Sequence, residues 1–92
     1  MEISIGQVVY SRAGRDKGLF FVVVEIPDDK HVVMVDGDVR KLENKKIKNI
    51  KHIIVTDTVL CDIIDRLSEE KLTNSYIRKA LNSYNDSDVY AG

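Results

Sequence analysis

The chain has 92 residues, 43% of them hydrophobic and 32% charged, with a formal net charge of −1. That length suits one domain, and the apolar share exceeds what a disordered tail carries. The balanced charge excludes a histone-like polycation, and the single cysteine excludes an intramolecular disulfide or a cysteine-based zinc cluster. No apolar run approaches the length of a membrane span, and the first residues lack a basic-then-apolar leader pattern. A soluble, cytoplasmic protein from a reducing compartment is the expectation.

Along the first 55 residues, apolar positions come in short β-branched or aromatic runs punctuated by Gly, Asp and Asn, the pattern of strands. Val8, Val9 and Tyr10 form the first run, ended by Ser11-Arg12-Ala13-Gly14. Residues 19–26 form the second, apolar at every position but Glu25. A strand that is apolar on both faces must be covered twice, as in a small closed barrel. Pro27, Asp28, Asp29 and Lys30 turn the chain. Residues 32–35 predict a third strand, and Asp36-Gly37-Asp38 a tight hairpin turn into a fourth over 39–42. A polar stretch over 43–49 leads to a fifth strand over 50–55. Five short strands predict a small β-barrel.

From residue 56 the period becomes helical. Leu60, Ile63, Ile64 and Leu67 form one stripe, and Thr56, Asp57 and Thr58 offer N-caps. A second helix is expected over 74–84, with Ile77, Ala80, Leu81 and Tyr84 on one stripe. Thr73 is its N-cap, and Leu72 and Ile77 occupy the positions of a hydrophobic staple. The expected fold is therefore mainly β with a C-terminal α part. A barrel over 1–55 is followed by a helical hairpin over 56–84 packed on it, and by a frayed polar tail over 85–92.

The near-zero total charge hides an uneven distribution. Residues 1–55 sum to +2 and residues 56–92 to −3. Between 40 and 52, Arg40, Lys41, Lys45, Lys46, Lys48 and Lys51 are opposed by Glu43 alone. The loop after the first strand adds Arg12, Arg15 and Lys17 against Asp16. In a barrel, these two basic regions can share one face, and such a patch attracts phosphates whatever the total charge. Lys-rich loops are also ordinary solvated surface, so charge density suggests nucleic acid without establishing it. Within Gly14-Arg15-Asp16-Lys17-Gly18 the glycines allow positive φ and close approach of a partner to the backbone. It is not a phosphate-binding P-loop, because no Gly-Lys-Ser/Thr follows it.

Residues 6–23, a strand, a basic glycine-containing loop and a second apolar strand, resemble the KOW motif. The continuation through 31–42 and 48–53 is similar to short bacterial KOW-domain proteins, which resemble the KOW domains of archaeal and eukaryotic large-subunit ribosomal proteins. The resemblance covers residues 3 to about 55 and implies an SH3-like barrel and RNA binding, usually of ribosomal RNA.

No catalytic constellation is visible, so an enzyme is not expected. Cys61 lies beside the first helical stripe and reads as a small buried thiol. His31 and His52 are distant from each other and have no ligand partner in sequence, which argues against a metal site. Asp57, Asp62 and Asp65 read as a solvated helix face, and Tyr10, Phe20 and Phe21 as core rather than a stacking platform for bases. The expectation is a cofactor-free protein that docks on structured RNA, most simply ribosomal, with possible contact to ribosomal proteins. Phosphate contacts are assigned to Arg12, Arg15, Lys17, Arg40, Lys41, Lys45, Lys46, Lys48 and Lys51, and loop shape to Gly14 and Gly18. The alternative is a protein-interaction module of the transcription or translation machinery that touches RNA incidentally.

Overall fold

The computed structural model describes residues 2–85. Five antiparallel strands, β1 (Gln7–Ser11), β2 (Phe20–Glu25), β3 (His31–Val35), β4 (Lys46–Asn49) and β5 (Ile53–Val59), precede α1 (Cys61–Ser68), α2 (Asn74–Ala80) and α3 (Asn82–Asn85). The chain is thus mainly β with C-terminal helices. The strands form one sheet in the order β4-β3-β2-β1-β5.

That order puts consecutive strands at opposite edges. Four inter-strand spacings of about 4.8 Å would hold β4 and β5 roughly 19 Å apart in a flat sheet. Only Ile50, Lys51 and His52, wound as one turn of 3-10 helix, connect them. Such a turn advances about 2 Å per residue, so the sheet must curl until its edges approach. The ladder nevertheless stays open: no β4–β5 pairing occurs among the described residues.

The curl explains why β2 is apolar on both faces. Val8, Val22, Val24, Val33 and Val35 pack with Ile63, Ile77 and Leu81 of the helices. Val9, Phe21, Val23, Val32, Met34 and Ile53 form a second cluster on the other face, joined by Ile3, Leu19, Ile50 and Val55. Among the described residues, no side chain of α1, α2 or α3 enters that second cluster, so the sheet's own curvature and its flanking loops and turns enclose it.

Three boundaries differ from the sequence reading. Residues 39–42 are not a strand. The Asp36 carboxylate accepts hydrogen bonds from the backbone N–H groups of Asp38 (3.0 Å) and Arg40 (2.7 Å), which folds the segment back on itself. The fourth strand lies instead within the polar stretch, at Lys46–Asn49. Two short 3-10 turns, Leu42–Asn44 and Ile50–His52, add helical geometry where only strand and turn were expected. Finally, β5 runs on to Val59, so Thr56 and Thr58 are strand residues and not helix caps. The Thr56 hydroxyl donates to the Val8 carbonyl at 2.7 Å, which favours the β ladder over capping.

The second helical segment begins as expected, with Thr73 Oγ1 accepting from the Tyr76 N–H at 3.1 Å. It breaks at Leu81 into α2 and α3. Asn85, expected in the frayed tail, is instead bound to β2: its Oδ1 accepts from Phe20 N–H (2.8 Å) and its Nδ2 donates to Phe20 O (3.0 Å). The rest of that expected tail, residues 86–92, lies outside the described residues.

Gly37 sits where the turn after β3 meets α2. Its φ is +79°, and a Cβ there would collide with the Asn74 carbonyl oxygen and the Arg78 backbone nitrogen. Gly37→Ala should therefore destabilise the fold by about 2–4 kcal/mol, combining positive-φ strain with overpacking. Urea denaturation followed by circular dichroism measures this, and a loss under about 1 kcal/mol would contradict the close approach.

Candidate nucleic-acid interface

The loop over 12–18 joins β1 to β2 and is closed at its base by Gly18 N–H to Ser11 O and Ser11 N–H to Leu19 O, both 2.9 Å. Inside it, Lys17 N–H donates to Gly14 O and Leu19 N–H to Asp16 O, each at 3.2 Å. Gly14 and Gly18 take φ of +79° and +93°, as the expected loop-shaping role requires. The result is a tight loop that turns Arg12, Arg15 and Lys17 outward, all three exposed, and Asp16 inward, 1% exposed.

Asp16 is the hinge of the arrangement. Its carboxylate accepts from Arg40 Nε at 3.1 Å and Nη2 at 3.4 Å, across 24 residues of sequence. Arg40 reaches it because the Asp36 turn fixes the Arg40 backbone: Asp36 N–H and Gly37 N–H both donate to Arg40 O. A second tether comes from β4. Lys48 is only 8% exposed, and its ammonium donates to Ala13 O at 2.7 Å from inside the curled sheet. A third is Arg12 N–H to His52 O at 2.9 Å, which extends the β1–β5 pairing beyond Ser11. Together these contacts hold Arg40, Lys48 and the turn carrying Lys51 and His52 against the loop.

The expected phosphate-binding residues therefore divide. Arg12, Arg15, Lys17 and Lys51 are exposed, make no ion pair among the described residues, and belong to or flank the loop. Arg40 and Lys48 assemble the surface instead: half-buried Arg40 is bonded to Asp16 and buried Lys48 to Ala13. Lys41 is exposed beside Arg40. Lys45 lies 3.5 Å from Glu25, and Lys46 is half-buried opposite Met34, with no contact tying either to the loop. The residues missed in the sequence are the carboxylates. Asp16, the one acid among the basic residues of its loop, was the available signal.

Near this surface, Asn74 locks α2 to the turn before β4. Its Oδ1 accepts from Leu42 N–H and its Nδ2 donates to Glu43 Oε1 at 2.7 Å. The Asn74 amide, helped by the Glu43 backbone N–H, holds the Glu43 carboxyl below its usual pKa. Asp28 is lowered likewise, first by the Lys30 N–H and then by its bond to His31.

The other candidates of the sequence fall elsewhere. Cys61 is exposed and not a buried core thiol, because it opens α1 on the side away from Ile63. Asp57 belongs to β5 and not to a helix, and Asp62 accepts a hydrogen bond from Tyr76 at 3.1 Å. Among the described residues, no group of three or more His, Cys, Asp or Glu is arranged to hold a metal ion. His52 is exposed in the turn between β4 and β5. Phe21 is core, whereas Tyr10 and Phe20 are half-buried.

Arg40→Ala should destabilise the protein by about 2–3 kcal/mol, because it leaves the Asp16 carboxylate buried and uncompensated. The figure stays below that for a fully buried pair, since the Arg40 side chain retains 21% exposure. Denaturant titration of Arg40→Ala beside Arg40→Ala/Asp16→Asn checks it: the double variant should recover part of the loss. Neither protein-family models nor curated protein sequences give a match to this chain.

Proposed function

We propose that this chain is an RNA-binding protein of the KOW type, built on an SH3-like barrel, that docks on structured RNA through its basic loop surface. The single observation that carries this reading is the convergence of Arg12, Arg15, Lys17 and Lys51, exposed and without ion-pair partners among the described residues, on a surface built by the Asp16–Arg40 and Lys48–Ala13 contacts. The loop is held by a buried carboxylate, a half-buried guanidinium and a buried ammonium, and the like charges it presents outward favour an anionic partner. The strand order β4-β3-β2-β1-β5, with β1 paired to both β2 and β5, supports the SH3-like reading.

Ribosomal RNA is the proposed target, and the mechanism is electrostatic. The guanidinium and ammonium groups replace condensed counterions along the phosphate backbone, while Gly14 and Gly18 keep the loop narrow enough for close approach. Lys41, Lys45 and Lys46 act at the margin. Arg40 and Lys48 act only through the loop they position.

Replacing Arg12, Arg15 and Lys17 together by Ala should weaken binding of unrelated structured RNAs to a similar degree. It should also flatten the dependence of log K on log salt by about two to three. Titrations at several salt concentrations measure this, with circular dichroism confirming a folded variant. Stability should change little, because the three side chains are exposed. An unchanged affinity and slope in the folded variant would favour the protein-interaction reading. Co-sedimentation with large ribosomal subunits tests the target.

A further inference from the structure

Tyr10 is half-buried yet belongs to neither hydrophobic cluster, unlike Phe20, Tyr76 and Tyr84, which pack against the helix-side core. Its ring meets Phe20 edge-on, with centroids 5.0 Å apart and planes at 60°. Side chains alternate faces along a strand, so its neighbours follow from the register. Val9 opposite Val55 and Ser11 opposite Ile53 turn to the enclosed side of the sheet. Tyr10 opposite Ile54 turns to the other side, where Ile54 is 50% exposed. One step further, the hydrogen bond from Arg12 N–H to His52 O carries the pairing of the two backbones just past the strand ends, and both residues are exposed.

Two successive backbone pairs, Tyr10 with Ile54 and Arg12 with His52, thus adjoin at the foot of the basic loop, and they carry an aromatic ring, an aliphatic chain, a guanidinium and an imidazole. Each of the flat groups can stack on a nucleobase, and unpaired RNA bases are recognised by such surfaces. We infer that Tyr10, Arg12, His52 and Ile54 form a stacking platform for unpaired bases, so that the RNA bound by this surface is a single-stranded or looped segment and not a continuous duplex. The inference rests on the RNA-binding reading. Phosphates flanking the stacked base would be held by Arg15 and Lys17 of the adjoining loop and by Lys51, next to His52 in the chain, all three exposed. Charge complementarity selects a polyanion, and the apolar and planar groups select one whose bases are accessible.

The test uses the full chain with a fluorescein-labelled oligouridine and an RNA duplex of the same length, at one salt concentration. Tyr10→Leu, which keeps the apolar volume beside Phe20, should weaken oligouridine binding about 5- to 10-fold, the low end of what one base–aromatic stack supplies. Duplex affinity should stay within about twofold, because backbone contacts are retained. Tyr10→Phe should bind both as the parent does. His52→Ala, at an exposed position that does not threaten folding, should weaken the single strand alone. An oligonucleotide carrying an adenine analogue whose fluorescence stacking quenches should lose that quenching with Tyr10→Leu. If both RNAs bind and neither Tyr10→Leu nor His52→Ala moves the single strand relative to the duplex, the platform is overturned and the basic surface stands. If neither RNA binds the parent protein, the RNA-binding reading falls and takes the platform with it.

Discussion

The three residues between Asn49 and Ile53 impose the geometry on which everything else depends. They join the two edges of a sheet whose order would otherwise keep those edges apart. Curling is the only solution that a chain of fixed bond lengths permits. Curling in turn encloses Val9, Phe21, Val23, Val32 and Met34 without any covering helix. It lets Lys48, on the far edge, reach the carbonyl of Ala13, at the loop whose Arg12 is paired with His52 by the β1–β5 ladder. The helices are then needed on one face only, where Ile63, Ile77 and Leu81 cover the remaining valines.

Charge in this protein has two uses, separated by burial. Asp16, Arg40 and Lys48 are drawn inward, where each loses hydration and must be matched by a partner. Such contacts add little net stability against apolar alternatives, but they tolerate few alternative arrangements. Asp36 is buried as well, and spends its carboxylate on the backbone that presents Arg40. The exposed Arg12, Arg15, Lys17 and Lys51 make no ion pair among the described residues, so their field points outward. Net charge, at −1, says nothing of this division.

How much of this was readable beforehand varied with the kind of force involved. The first three strands followed from short β-branched and aromatic runs bounded by turn residues, because both signals are local. The Thr73 cap was readable for the same reason: one side chain and one turn decide it. The fourth strand was not, since Lys46, Ile47, Lys48 and Asn49 carry the composition of a loop. What makes it a strand is pairing with β3, a long-range fact. Thr56 failed similarly, because β5 continues through the residues that offered helix caps, whereas Cys61 failed because it opens α1 on the side away from Ile63. At the candidate interface, the exposed loop cations were legible as charge. The commitment of Arg40 and Lys48 to Asp16 and Ala13 depends on separations of 24 and 35 residues that no local window contains.

The reciprocal bond between Asn85 and the backbone of Phe20 mimics one rung of a β ladder, made by a side chain. Phe20 lies two residues after Gly18, where the basic loop closes. The C-terminal helix and the loop therefore share a fastening. Without Asn85 the Phe20 amide would lose its side-chain acceptor and the base of the loop one of its supports, so a residue 65 positions away steadies the start of β2. Amide-proton exchange at Phe20 would report on the loss of that bond while the loop residues themselves stay at the surface.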